Sequence, residues 1–425
     1  MVSCLSESLA ALRAPADPCT MTSTTSAGSA GTVTYAALFR ARGVAAVFSL
    51  ALTLIVGTSL QILALSVYVY DETGSALWST MAFAAGFLPQ LLGGTFLTSL
   101  ADRWPARTVL VSGSVVRAIS AFVIAFGNPS PLAAIGVVAL AAVWQPVPLA
   151  AQSALLSRLL TGDAYVLGRS VMSLISSGAQ LLGLALGGAA VQWLGTTAAF
   201  GLVGALQVLG LLAVLAIPSV PSGFSPEGRW RLRETWRANL DLLRNLQVRH
   251  LLLSWWLAPT LFVGAEALVV AYMGERDGSA APTGLILAAF PAGAAVGNLL
   301  VGRFLPAPAQ RRATPWLFAL IGLPLLPLAW HPPLAVTGLC FALASAGMAY
   351  QLGGQRAFLA AVPEERRGVA FGLYGTGLMG GQGIGPVLAG LLANVVGAGA
   401  TITALGVAIL VAAARYGPLP NEQEE

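Results

Sequence analysis

Glu266 and Arg117 are the two ionisable residues lying deep inside long apolar stretches of this chain. A charge held at the middle of a bilayer costs roughly 2.5–3.5 kcal/mol on insertion scales, so something must offset it. A carboxyl at position 266 that faces a central cavity can take up and release a proton. Its plainer alternative is a structural partner for an arginine or a helix N-terminus. Arg117 has three outlets: a pair with Glu266, an anionic part of a ligand, or a cluster of backbone carbonyls. A cavity or structural pairing is favoured over ligand contact, and nothing in the spacing settles its face. Gln61, Gln145, Gln152, Gln351 and Gln355 also interrupt apolar stretches, where an amide needs a partner. Ligand contact and bonding between helices are equally open for them. Trp144, Trp255 and Trp256 can stack on a flat ligand, although packing is the commoner role of such residues.

Other chemistries lack raw material. The chain has two histidines, His250 and His331, and three cysteines, Cys4, Cys19 and Cys340, without paired spacing. No disulfide framework, metal site or His-based triad follows. No nucleophile–base pair can be assembled either, so neither an enzyme nor a cofactor is expected. Gly375-x-Gly377-x-x-Gly380 has the spacing of a dinucleotide loop. It sits inside an apolar stretch with no strand before it, which removes that reading. Small residues there let helices approach closely, as do Gly381-x-x-x-Gly385, Gly183, Gly188 and Gly390. Pro386 adds a bend.

The elements that must position these residues follow from composition. Of 425 residues, 56% are apolar and 9% charged, and the mean hydropathy is +0.79. Soluble chains carry about 25% charge, so the solvent is a lipid bilayer. The net charge of +5 comes with arginine as the sole basic residue besides histidine. It fits the basic bias of cytoplasmic loops rather than nucleic-acid binding. A spanning helix needs about 20 apolar residues. Stretches 43–70 and 73–101 hold one span each, 107–158 holds two, split at 127–131, and 170–226 holds two more, split near 195–197. Beyond a polar segment, 251–273 and 278–302 hold one each, while 313–355 and 368–414 hold two each. The prediction is an all-α membrane protein of twelve transmembrane helices, six plus six. An inside N-terminus gathers every arginine except Arg117 and Arg276 on the inner side, so both termini are expected in the cytoplasm and the chain in the cell membrane.

The expected organisation is a disordered cytoplasmic tail over 1–34, with Met21 as an equally good start. Six-helix bundles over 35–217 and 251–416 flank a cytoplasmic linker at 218–250, and a second tail occupies 417–425. The linker carries Arg229-Trp230-Arg231-Leu232-Arg233, and Trp236, Leu240 and Leu243 at helical spacing. That pattern predicts an amphipathic helix on the inner membrane face.

The halves repeat each other. Gln152-x-Ala154-x-Leu156 matches Gln355-x-Ala357-x-Leu359 at an offset of 203. Gly178, Gln180, Gly183 and Gly188 match Gly380, Gln382, Gly385 and Gly390 at 202, and Gly74-Ser75-Ala76 matches Gly278-Ser279-Ala280 at 204. Six spans return the chain to its starting face, so a pseudo-two-fold along the membrane normal relates the bundles. This is the parallel-repeat plan of transporters that rock two bundles around a midplane site.

The segment Leu100-Ala101-Asp102-Arg103-Trp104-Pro105-Ala106-Arg107 resembles the loop motif G-x-L-A-D-R-x-G-R-R/K of the major facilitator superfamily. Asp102, Arg103 and Arg107 match, while Thr98, Pro105 and Ala106 depart from the pattern. Val69–Ala76 and Phe290–Gly297 are similar to the branch of macrolide and siderophore exporters. The resemblance implies the superfamily fold and a gating role for the Asp102–Arg103–Arg107 loop. The family's Gly-Pro antiporter motif in span 5 is displaced, since Leu184 follows Gly183 and the Gly-Pro stands at Gly385-Pro386. The expected activity is proton-coupled efflux of a small amphipathic compound by alternating access, a drug, secondary metabolite or siderophore. The expected partners are that small-molecule substrate, protons and the bilayer, with no nucleic acid, and the chain is expected to be a monomer. The alternatives are uptake of a polar small molecule, which would place more ionisable or amide groups at the cavity, and a receptor that transports nothing.

Overall fold

A computed structural model describes residues 35–40, 43–97, 100, 104–217 and 232–417. Among them the chain is helical throughout, because lipid offers no partner for an open backbone group and a helix satisfies its own. The first half contains α1 (Tyr35–Arg40), α2 (Val44–Thr73), α3 (Ala76–Ala84), α4 (Gln90–Phe96), α5 (Ala106–Gly127), α6 (Pro131–Trp144), α7 (Pro146–Leu159) and α8 (Gly162–Leu215). Then come α9 (Leu232–Arg244), α10 (Leu246–Ala267), α11 (Val269–Gly274), α12 (Ala280–Phe304), α13 (Ala307–Gly322), α14 (Leu334–Ala346), α15 (Gln351–Ala361), α16 (Arg367–Val396) and α17 (Ala398–Tyr416).

Ten segments of the described residues are long and apolar enough to cross a membrane. One of them is 52 residues long. It breaks at Gly195, whose φ of 80° and ψ of 166° are outside the helical region. The segment formed by α3 and α4 adds a passage in two pieces, parted at residues 85–89, where Gly86 and Pro89 interrupt the helix. The architecture is therefore consistent with twelve passages in two bundles.

Two opposite faces are defined by hydrogen bonds between connections. On one, Tyr68 Oη donates to the carbonyl of Pro129 (2.7 Å), Ser75 Oγ lies 3.2 Å from Asn394 Oδ1, and Glu275 Oε1 accepts from the amide of Ala398 (2.6 Å). On the other, Arg107 donates to the carbonyl of Leu215 (3.2 Å), His250 Nε2 bonds the carbonyl of Tyr416 (3.2 Å), and Asp241 meets Arg366 at 4.0 Å. The second face carries the described chain ends and is called the terminal face below.

The internal repeat is visible in backbone torsions. Gly195 and Gly397 hold nearly the same extended turn, 202 residues apart. Asn128 (φ 42°, ψ 52°) and His331 (φ 50°, ψ 57°) both end a helix in the left-handed region, 203 apart. The halves also meet each other symmetrically. In α8, Gly188 abuts Gly284 of α12, and in α16, Gly390 abuts Thr80 of α3.

The linker helix α9 turns Leu242 and Leu243 onto the core of the second half and leaves Leu240 exposed. The side chain of Trp236 falls outside the described residues. Helix α10 begins at Leu246, ahead of the expected 251, because the Asn245 side chain accepts from the amides of Gln247 (3.0 Å) and Val248 (3.2 Å). Such a cap satisfies amides that a helix start otherwise leaves open.

Candidate functional site

A cavity of about 340 Å³ opens within the first half. That is the size class of a drug-like or nucleoside-sized ligand. Its wall comes from residues 51–62 of α2, 110–117 of α5, 145–156 around and along α7, 169–180 of α8, and Gly86, Phe87 and Gln90. Each stretch belongs to the part of its helix that runs from the terminal face toward the middle. The lining is mixed. Leu54, Ile55, Ile62, Phe87, Leu149 and Met172 are apolar, while Thr58, Gln90, Ser114, Arg117, Gln145, Gln152, Arg169, Ser176 and Gln180 are polar.

Arg117 is the buried charge of this wall, 8% exposed. Its Nε donates to Gln145 Oε1 (2.6 Å) and its Nη1 to Thr58 Oγ (2.5 Å). Gln145 can reach inward because it sits at the joint where α6 gives way to the prolines of α7. Thus α2, α5 and the α6–α7 joint are tied to one guanidinium through neutral acceptors. Gln152 lies further along α7 toward the terminal face, and its Nε2 donates to the carbonyl of Val47 (3.5 Å). Arg169 is exposed to the cavity from the first turns of α8.

The remaining sequence candidates fall elsewhere. Gln61 is buried and donates to Ser120 Oγ (3.2 Å). Trp144 donates to Ser112 Oγ (3.0 Å) and lies 6.0 Å from the ring of Trp104. Gln351 accepts from Tyr374 Oη (3.4 Å), and Gln355 is exposed. None of these four lines the 340 Å³ cavity. Asp102 and Arg103 lie outside the described residues. Arg107 is bonded to the last turn of α8 within its own half, where a cation complements the helix C-terminus. Of the helix-packing residues, Gly183 lies on Val56 and Ser59, Gly381 and Gly385 on Thr260, and Pro386 inside α16.

Glu266 is half-buried on α10 and is not part of the cavity wall. Its carboxyl forms no hydrogen bond or ion pair among the described residues. One turn earlier, the ring of Phe262 packs at a tilt against Phe290 of α12, 5.1 Å between centroids. Val263 and Ala267 pack against Ile62, Phe83 and Phe87 of the other half. The carboxylate is therefore placed beside the boundary between the bundles, and Ile62 and Phe87 are shared with the cavity wall.

The polar cavity residues beyond the sequence candidates include Thr58, Gln90, Arg169 and Gln180 as well as four serines. Arg169 reads in sequence as one more inner-loop arginine. Gln90 carried a signal, an amide inside a charge-free stretch. Thr58 carried none, since its hydroxyl can bond within its own helix.

The Major Facilitator Superfamily profile matches residues 47–352 and 268–425. This chain belongs to that superfamily and is a multi-pass membrane protein of the transporter fold. Among solved structures it is similar to a mutant form of the nucleoside transporter NupG, with a TM-score of 0.70 at 13% identity over 89% of this chain and 100% of that one. A bacterial homolog of the human lysosomal transporter Spinster, inward-facing and unoccupied, gives 0.67 at 17% identity over 89% and 96%. A POT family transporter in complex with 5-aminolevulinic acid gives 0.68 at 13% identity over 88% and 95%. A search of curated protein sequences finds no match.

Proposed function

We propose that this chain is a proton-coupled secondary transporter that exports a small amphipathic molecule by alternating access. The cavity carries the reading. It runs inward from the terminal face, its lining residues are polar and apolar in about equal number, and toward the opposite face Gly188 and Gly284 press the two halves together. A polar pocket that reaches the bilayer middle and is shut on one face is one state of an alternating-access cycle. Solved relatives in fold that carry nucleosides or bind 5-aminolevulinic acid support a small-molecule substrate. Glu266, beside the bundle boundary and without a partner among the described residues, is the proton site of this reading. Asp102, Arg103 and Arg107 form its gate on the terminal face, which is cytoplasmic, and the protein works as a monomer in the cell membrane.

One observation favours a second reading, uptake of a polar solute. The wall holds two arginines and four glutamines, more polar groups than an exporter of greasy compounds needs. Inside-out vesicles with an acidic lumen decide between them. Export predicts that substrate accumulates in the lumen as protons leave. Accumulation only in right-side-out vesicles under an inward proton gradient would establish uptake instead.

A further inference from the structure

Among the described residues the cavity wall contains Arg117 and Arg169 but no aspartate, glutamate or histidine. Two guanidiniums thus face one cavity with no acidic side chain beside them in its described wall. Glu266 belongs to the other half and makes no ion pair with either arginine among the described residues.

Arg117 ties three elements together and still has donors to spare. A guanidinium has five N–H donors. Gln145 and Thr58 take two of them, so three stay without a protein acceptor among the described residues. Both acceptors are neutral, so they orient the fork without cancelling its charge. A planar fork held in this way fits the two oxygens of a carboxylate or phosphate.

The internal repeat supplies a control. The second half folds on the same plan, yet the positions 202 to 204 residues after Arg117 are Ala319, Leu320 and Ile321. Those after Gln145 are Gly347, Met348 and Ala349, and those after Arg169 are Phe371, Gly372 and Leu373. A six-helix unit of this kind therefore forms without the arginines. The plan shared by the halves does not by itself require them.

We propose that the cavity binds a small organic anion. Arg117 at its deep end and Arg169 toward the terminal face hold the carboxylate or phosphate oxygens. The apolar remainder of the molecule lies against Ile55, Ile62, Phe87 and Leu149. This inference rests on the transport reading and narrows its substrate class.

The test uses the purified full chain in nanodiscs and a matched panel: 4-phenylbutyrate, its methyl ester, 4-phenylbutylamine and phenyl phosphate. Thermal stabilisation by each is titrated for wild type, Arg117→Gln, Arg117→Lys and Arg169→Gln. The two anions should bind wild type at least about tenfold tighter than the ester or the amine, and Arg117→Gln should lose that preference. Arg117→Lys should keep part of it, and Arg169→Gln should weaken it without lowering the melting point of the empty protein. Phenyl phosphate above phenylbutyrate identifies a phosphate preference, and the reverse a carboxylate. Equal or tighter binding of the ester or the amine overturns the proposal, as does no binding by either anion. A purely structural Arg117 would instead lower the melting point of the empty protein and leave the anion preference unchanged in all variants. Flux of the bound anion into proteoliposomes is read separately. Binding without flux sinks the transport reading and leaves the anion site standing.

Discussion

Gly188 and Gly284 touch across the boundary of the two halves, and a Cβ built on either would lie 2.8 Å from the Cα of the other. Beside them Gln192 Oε1 accepts from the amide of Ala281 (2.8 Å). The equivalent corner pairs Gly390 with Thr80, and Ser75 with Asn394. Two related seams thus close the face opposite the termini, and in both it is a glycine that permits contact with backbone or Cβ atoms.

Gly188→Val should prevent that closure. The added side chain would meet the backbone of Gly284 and the carbonyl of Ala280, and overpacking of this kind costs about 1–3 kcal/mol. The expected outcome is faster thiol labelling of a Gln192→Cys reporter together with loss of transport. Unchanged labelling and transport would show that this seam does not gate.

Gln207 is fully buried, and neither its Nε2 nor its Oε1 has a partner among the described residues. Its amide presses on Gly57 of α2. An unsatisfied amide in an apolar surround is worth about 1–3 kcal/mol of lost stability. Gln207→Met keeps the length of the side chain and removes both orphan atoms. The variant should melt at a higher temperature and transport at the wild-type rate. A lower melting point would mean that the amide has an acceptor or ligand in the membrane.

How much of this was legible in the sequence depends on range. The helix breaks at 128–130 and 195 follow from local glycine and proline chemistry and were marked by it, and the same chemistry stands at the breaks at 331–333 and 397. The joints at 85–89 and 145 were harder, because an apolar run continues through them. The site was legible only residue by residue. Arg117 and Gln145 stood out as polar groups in apolar runs, but their contact crosses 28 residues and that of Arg117 with Thr58 crosses 59. Pairings of that range are decided by packing. Whether Arg117 and Glu266 form a pair had no answer in spacing. Packing answers it, since the arginine is held by an amide and a hydroxyl of its own half.

Glu275 reaches from the end of the α10–α11 passage to start another helix. Its Oε1 accepts from the amide of Ala398 (2.6 Å), the first residue of α17, and its Oε2 lies 3.8 Å from His331 Nε2. A carboxylate at a helix N-terminus satisfies an open amide and complements the helix dipole. Glu275→Ala should cost about 1–2 kcal/mol in thermal or denaturant unfolding. Glu275→Gln keeps an acceptor and should lose less. Equal losses for both variants would assign the effect to bulk rather than to capping.

Orientation can be read by fusion. A reporter active only in the cytoplasm, placed after Arg415, should be active, while the same reporter inserted after His331 should be silent. The two positions lie on opposite faces. Activity at His331 and silence at Arg415 would invert the topology and with it the direction assigned to the cavity mouth.

The final prediction concerns Glu266. It is the carboxyl placed inside a span of the second half, half-buried and without a partner among the described residues. Glu266→Gln keeps the shape and fixes a neutral state. A structural ion pair with Arg117 would make this change expensive, about 3–5 kcal/mol, because a buried arginine would be stranded. Here the guanidinium is held by Gln145 and Thr58, so nothing is stranded. The variant should therefore be at least as stable as wild type, since the cost of a charge within the bilayer is gone. Substrate should still bind, because Glu266 does not line the cavity. Proton-driven transport should nevertheless fail, because the side chain can no longer release a proton on one side and regain it on the other. The measurement combines pH-gradient-driven flux in proteoliposomes, substrate binding and the melting point of the purified variant. Loss of flux with binding and stability intact isolates coupling. Wild-type proton-driven flux removes the coupling role, and a fall in stability with flux intact makes Glu266 a structural residue.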